Sequence, residues 1–414
     1  MQRLSYLIYA DFETLVSKID TLPGTTVKTA THIPCGYSYI VIGPDGKPMK
    51  PPVVHRGDGD VLEHFLEAII REKDVLAAKL EQIVPMKLTA ADWVKIRSAT
   101  HCGLCKKELG DDRVKDHDHL TGEFRQVLHN ECNLAYRQRK MVGCAFHNLK
   151  NFDGHLLMQA LGRHKDHNIS VIPTTTEKYI SFGISRKEEK YPTTLQFLDT
   201  LAFLNTSLAK LVANLEKTKF TIFRECIQSP HIDLLLKKGI YPYEYMDSYS
   251  KFAETALPPK DAFYSTLSNE GITDEEYKHA QLVWDVFNIQ NLGEYHDLYV
   301  KTDVLLLADV FENFRHLTMD FYGLDAAHMM TSPGLAWQAA LKMSEVQLDL
   351  FTDIDMHLFI EKGARGGVSM ISHRYAKSNI PGNLGYEEDE ENRHILYLDA
   401  NNLYGMYYST SFPS

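Results

Sequence analysis

Two acids, Asp11 and Glu13, stand two residues apart near the start of the chain, just after the apolar pair Leu7-Ile8. In an extended strand that spacing projects both carboxylates from one face. Crowded carboxylates repel each other unless protons or a cation neutralise them. A divalent ion that favours hard oxygen ligands, Mg²⁺ or Mn²⁺, does so directly. Two later acids suit the same chemistry. Asp153 closes His147-Asn148-Leu149-Lys150-Asn151-Phe152-Asp153, where a helix N-cap is the plain alternative. Asp303 follows Tyr299 by four residues in a helical register, so the two share a face. It leads into Val304-Leu305-Leu306-Leu307-Ala308, where an unpaired carboxylate is costly and a metal site supplies a partner.

A different chemistry is written into Cys102-Gly103-Leu104-Cys105 and His129-Asn130-Glu131-Cys132, two ligand pairs separated by 23 residues. Three thiolates and one imidazole suit a single closed, tetrahedral Zn²⁺ site, which would fold a segment that has little apolar core of its own. Cys35, Cys144 and Cys226 read as ordinary buried thiols. Near the end, Leu398-Asp399-Ala400-Asn401-Asn402-Leu403-Tyr404-Gly405 places an acid at a strand end and an aromatic in the turn behind it.

The elements that must position these groups follow from pattern. Strands are expected over 4–13, 35–42, 142–147 and 395–399, with a β-rich stretch over 169–198. Helical periodicity covers 61–83, 153–161, 208–215, 295–321 and 331–361, and Thr89 is placed to cap a short helix. Residues 95–140 differ in texture: ten Lys/Arg against seven Asp/Glu give a local charge of +3, with four histidines and three cysteines in the window. That segment reads as an inserted module. The chain as a whole, 414 residues with 44% hydrophobic and 24% charged, is too long for one core and suits two or three domains. Its net charge of −11 excludes a blanket basic coat for nucleic acid. Six cysteines are too few for a secreted disulfide framework. No apolar run reaches the roughly 18–20 residues of a membrane span, and the start has no signal-peptide core. The expectation is an intracellular multi-domain protein with no membrane partner and no visible targeting signal. The acidic run over 387–391 reads as a solvated loop.

Taken in chain order, Asp-x-Glu, Asn-x-x-x-Phe-Asp and Tyr-x-x-x-Asp resemble the three exonuclease motifs of the DEDD superfamily, in the Tyr-containing branch that proofreads for B-family DNA polymerases. The resemblance implies an α/β, RNase H-like 3′–5′ exonuclease domain in which Asp11, Glu13, Asp153 and Asp303 hold two Mg²⁺ or Mn²⁺ ions. It implies that Tyr299 orients the attacking water and that Thr14, Asn148 and Phe152 grip the end of single-stranded DNA. Ser207-Leu208-Ala209-Lys210-Leu211 resembles a primer-contacting signature, and Lys238-Gly239-Ile240 an element whose lysine sits near the scissile phosphate. The tail around Asp399 resembles motif A of B-family polymerases, with Asp399 a metal ligand at the nucleotide site and Tyr404 packing under the sugar. Its wording is similar to protein-primed polymerases of Maverick/Polinton-type transposons, as are Ser332-Pro333-Gly334 and Asp353-Ile354-Asp355-Met356. Arg365-Gly366-Gly367 matches a linker motif in which Ala364 replaces the family's tyrosine. The partners so implied are single-stranded and primer-template DNA, dNTPs in a full-length protein, and a terminal-protein primer. A nucleus or a viral replication site is the compartment the resemblance implies. Later polymerase motifs are expected beyond Ser414, so the chain reads as the amino-terminal part of a polymerase.

The cysteine–histidine segment, with Asp116-His117-Asp118-His119-Leu120-Thr121-Gly122 between its ligand pairs, resembles the recombination endonuclease VII type of HNH (ββα-metal) nucleases over residues 100–137. That resemblance implies one structural Zn²⁺ on Cys102, Cys105, His129 and Cys132. It also implies His117 as general base, Asp116 and Asn133 on one Mg²⁺, and His119 at the phosphate. A neutral imidazole suits the proton-accepting task. Cutting and purely structural use of this module stand open. The domain expectation is an exonuclease domain in two parts (1–94 and 141–325) around the insert (95–140), a helical linker over 326–390, and the start of a palm over 391–414. The rivals are a free-standing DEDD exonuclease and a zinc-dependent DNA-binding or HNH endonuclease protein.

Overall fold

Strand β1 (Leu7–Lys18) is apolar on both faces: Leu7, Tyr9 and Leu15 enter one core, and Ile8, Ala10 and Phe12 enter another. A strand with that double alternation must lie inside a sheet covered on both sides. In the computed structural model, which describes residues 2–18, 30–136, 138–175, 178–266, 269–364 and 370–398, that is its place. β1 pairs antiparallel with β2 (Ala30–Ile42), and β2 with β3 (Val53–Arg56). Helix α1 (Val61–Glu81) then covers the face of Ile8 and Phe12 with Phe65, Leu66 and Ile69.

A small separate motif follows. It comprises helix α2 (Ala90–Ser98), the hairpin of β4 (Val114–His117) with β5 (Phe124–Leu128), and helix α3 (Asn130–Ala135). Thr89 caps α2 in a reciprocal capping box with Asp92. The fully buried apolar residues of this segment are only Cys102, Leu109, Val127 and Leu128, a core too small to be self-sufficient.

The chain re-enters the large sheet with β6 (Met141–Phe146), parallel to β1, and continues through helix α4 (Asp153–Leu161) and strands β7 (His167–Pro173), β8 (Tyr179–Arg186) and β9 (Thr194–Asp199). The order β3-β2-β1-β6-β9-β8-β7 makes a mixed seven-stranded sheet. Its other face is covered by α5 (Leu208–Asn214), α6 (Thr221–Cys226), α7 (Asp274–Val286), α8 (Leu292–Tyr322) and α9 (Ser332–Ser344). The fold is therefore mixed α/β around a central mixed sheet.

Two details bring α8 onto the sheet. Gly36 of β2 lies where a Cβ would stand 2.4 Å from Cε1 of His296, so only glycine lets the helix approach this closely. Farther along α8, buried Arg315 donates to Asp325 (2.9 and 2.7 Å), to Glu312 (2.5 Å) and to the Leu4 carbonyl (2.8 Å), pinning the helix beside the start of β1.

The chain divides into units Met1–Val346 and Gln347–Ser414. The helical periodicity over 331–361 is not one helix. Glu345 adopts φ +56°, a left-handed cap that ends α9, and α10 (Ile354–Gly363) starts afresh on Asp353, which accepts from the amides of Asp355 and Met356. The strand expected over 395–399 is also absent from its described part. Ile395–Leu398 is exposed, and among the described residues no ladder partner lies beside it to satisfy extended backbone. Asp399, Tyr404 and Arg365-Gly366-Gly367 lie outside the described residues. Cys35 and Cys144 are buried, whereas Cys226 is only half-buried. Among the described residues no helix is long and apolar enough to cross a membrane.

Candidate functional site

Asp11 and Glu13 share the face of β1 that carries Leu7 and Tyr9, the face on which α8 packs. Asp303 comes down from α8, and the ligand oxygens of Asp11, Glu13 and Asp303 all lie within 4.8 Å of one another. Asp153 heads α4. Phe152 is the N-cap residue of that helix and the Asp153 side chain caps nothing. The capping alternative that the sequence leaves open is thus unused. Asp153 is close enough that its charge raises the pKa of Glu13, and that of Asp11 raises its own. Three of the four sequence-predicted acids therefore form one cluster, and the fourth, Asp153, stands near enough for charge to couple it to them.

The pocket is electrostatically unfavourable as a bare cluster. Burial first, and the Asp303 charge next, push Asp11 up to about 7. Burial and then Asp11 drive Glu13 and Asp153 well above the usual carboxylate range. Oδ1 of Asp153 and Oδ1 of Asp303 are buried without a hydrogen-bond partner. Buried oxygens of this kind are costly and call for a ligand. Hard, clustered and unpartnered carboxylate oxygens fit Mg²⁺ or Mn²⁺ well. One protein cation reaches in: Nζ of Lys238 donates to Oδ2 of Asp303 at 2.6 Å. Burial lowers the Lys238 pKa, but Asp303, Tyr243 and Asp11 outweigh it and raise it well above the usual amine value.

Tyr299 stands one helical turn before Asp303. Its hydroxyl shares a 2.6 Å hydrogen bond with that of Tyr243, and its ring stacks on Tyr241 with centroids 4.9 Å apart. Burial, then Asp303, raises its pKa well above the ordinary phenol value, so it remains a neutral hydroxyl. Thr14 follows a register shift in the β1–β2 ladder and hydrogen-bonds Nδ1 of His32 at 2.9 Å. His32 in turn meets Phe152 edge-on at 5.3 Å. Thr14 and Phe152 are thus gathered beside the acids, joined by a histidine that sequence reasoning missed. Asn148 sits at φ +77° in the turn before α4.

A second residue missed from sequence is Asp199, at the end of β9. It is buried and accepts from the amides of Asn148 and Lys150 (both 2.9 Å) and of Leu201 (3.0 Å), fixing the loop that carries Asn148 and Phe152. The available signal was an acid closing an apolar strand, Phe197-Leu198-Asp199, in the manner of Asp11. Ser207 and Leu208 are not brought to the acids by any contact: Ser207 caps α5 through the amide of Lys210, and Leu208 is packed in the core. Tyr243 gave no motif in sequence, because its role depends on a loop folding back onto α8.

In the small motif, Cys102, Cys105, His129 and Cys132 converge, with ligand atoms within 4.8 Å of one another. Nε2 of His129 lies 2.9 Å from the Glu108 carbonyl, which turns Nδ1 toward Cys105 at 3.3 Å. A carbonyl partner on the far ring nitrogen fixes the orientation of a metal-binding imidazole. Burial opposes ionisation of Cys102, yet the amides of Cys105, His129 and Leu104 prevail and bring it to about 6. The donor set fits Zn²⁺. Asp116 is different. Both its oxygens accept from Arg125 (2.9 and 2.8 Å), so a guanidinium engages the carboxylate expected to hold Mg²⁺ with Asn133. Nε2 of His117 is buried without a partner, and its ring lies 4.9 Å from that of His119. Asp116, His119, Arg125 and Asn133 line one cleft of about 510 Å³.

Residues 132–384 match the family described as DNA polymerase type B, organellar and viral. No curated protein matches. Among solved structures the chain is similar to Phi29 DNA polymerase complexed with primer-template DNA and incoming nucleotide (12% identity, TM-score 0.40, covering 89% of this chain and 40% of that one). It is also similar to Phi29 DNA polymerase complexed with single-stranded DNA (14% identity, TM-score 0.37, 90% and 41%). The chain thus spans about two fifths of the length of those structures.

Proposed function

The chain belongs to the organellar and viral type B DNA polymerases, and from that premise we propose that the unit carrying the four acids is its 3′–5′ proofreading exonuclease, RNase H-like in fold. The observation that carries this reading is the cluster of Asp11, Glu13 and Asp303, with Asp153 near enough for its charge to act on Glu13, unpartnered buried oxygens on Asp153 and Asp303, and Tyr299 near enough to feel Asp303 and Glu13. Asp11, Glu13, Asp153 and Asp303 would hold two divalent ions, which supply a lowered pKa to the attacking water and charge stabilisation to the leaving 3′ oxygen. Tyr299, held by Tyr243, orients that water through its hydroxyl. Lys238 sits at the pocket as a phosphate-directed cation. Phe152 with His32 offers a stacking surface for a frayed terminal base, which needs no sequence preference. For a polymerase of this family we extend this to templated synthesis from dNTPs, with Asp399 and Tyr404 at the nucleotide site and a terminal protein as primer.

The test is excision from 5′-labelled single-stranded DNA with Mg²⁺. Stepwise release of nucleoside monophosphates is expected, lost in Asp11→Asn with Asp303→Asn while DNA binding persists. Equal excision by that double variant would end the reading.

For the small motif, the engagement of Asp116 by Arg125 favours a zinc-folded module that grips DNA without cutting it. Mg²⁺-dependent nicking of plasmid DNA that disappears in His117→Ala would reverse this preference.

A further inference from the structure

Outside the acid pocket and the cysteine set, the described residues hold one more cluster of metal-type donors. His164 and His167, spaced His-x-x-His, and Asp166 between them place their ligand atoms within 4.8 Å of one another. They lie where the turn after α4 enters β7, the edge strand of the sheet, against the first turn of α1. The His167 side chain is only 4% exposed, and neither of its ring nitrogens has a hydrogen-bond partner. Nε2 of His164 and Oε2 of Glu63 are likewise buried without a hydrogen-bond partner, although Nη1 of Arg163 stands 3.6 Å from that Glu63 oxygen as an ion pair. Nδ1 of His167 stands 2.9 Å from Asp166, and Nε2 of His164 stands 3.1 Å from Glu63, yet none of these nitrogens lies in line for a hydrogen bond. Buried imidazole nitrogens are rarely left so.

We propose that His164, His167 and Asp166, with Glu63 as a fourth donor from α1, bind a transition-metal ion of the Zn²⁺ class. Two imidazoles and carboxylate oxygens suit Zn²⁺, Co²⁺ or Ni²⁺ and not Mg²⁺, which takes oxygen alone. The ion has a structural task. It ties the α4–β7 turn to the N-terminus of α1 and so fixes the entry of the edge strand, whose Ile169, Val171 and Ile172 are left exposed. Ligands from two separate elements make the ion a cross-link that binds the folded state alone and stabilises it by mass action.

The full chain is reconstituted with Zn²⁺ in excess Mg²⁺, freed of loose ion by gel filtration, and its zinc counted by elemental analysis. One zinc for each of the two clusters is expected. Cys105→Ser should remove one, and His164→Gln with Asp166→Asn should remove the other. Asp166 is 75% exposed, so the second variant should keep its circular dichroism. In the Cys105→Ser background, added Zn²⁺ should still raise the melting temperature, and the His164→Gln change should abolish that rise. A single zinc in the parent, or unchanged zinc content in the His164→Gln, Asp166→Asn variant, overturns the proposal.

Discussion

Replacing Asp11 by Asn should stabilise the metal-free protein while lowering the proposed excision of DNA ends. The substitution keeps the side-chain oxygen that accepts from the Phe12 amide at 3.1 Å and deletes one charge from the crowded pocket. Asp11 is raised from 3.8 to about 7 by burial and by Asp303. At about 1.4 kcal/mol per pH unit that is at most about 4 kcal/mol. Solvent at its partly exposed position, and sharing of protons with Glu13 and Asp303, leave about 1–2 kcal/mol. The sign follows from linkage. The folded-state pKa lies above the unfolded one, so the stability tied to the proton is full below about pH 4 and lost as pH rises through about 7. The gain from Asn should therefore be absent at acid pH and complete near pH 8, a rise in melting temperature of about 1–3 °C in chelator. Excision should fall on the order of 10²–10³-fold, as for loss of one preorganised electrostatic group. Calorimetry across pH in EDTA reads the first and a 3′-end assay the second. A variant less stable than the parent at pH 8 without metal would contradict a pocket destabilised by crowded charge.

By the same linkage, the melting-temperature gain from adding Mg²⁺ should grow between pH 5 and pH 8, because protons compete for Asp11, Glu13 and Asp153 at the acid end; a gain independent of pH would count against a carboxylate site. Tyr299→Phe should lower the excision rate and leave single-strand affinity unchanged, measured by single-turnover kinetics and fluorescence anisotropy. Asp199→Ala strands three loop amides and should cost about 1–3 kcal/mol in chemical denaturation, with weaker binding of single-stranded DNA. Zinc removal should open amide exchange in β4 and β5 while β1 and β6 stay protected.

The acids and their partner Tyr299 were legible because each sits on a regular element whose period is readable: Asp11 and Glu13 on an alternating strand, Tyr299 and Asp303 four apart on a helix, Asp153 at a helix start. The cysteine–histidine set was legible from ligand spacing alone. His32, Tyr241 and Tyr243 were not, since they come from loop or strand-edge positions whose meeting with Phe152 and Tyr299 is set by tertiary packing. Asp199 was hidden for another reason: its work is done on backbone amides, which carry no side-chain signature. The break at Glu345 escaped notice because the apolar period continues on both sides of it. The exposed stretch Ile395–Leu398 shows that an apolar run alone does not make a strand without a neighbour to pair with among the described residues.

The most direct measurement is the anomalous difference density of a crystal soaked in Mn²⁺. Peaks contacted by the carboxylates of Asp11, Glu13, Asp153 and Asp303 are expected. A pocket without density at saturating Mn²⁺, with Lys238 still seated on Asp303, would contradict a metal site there.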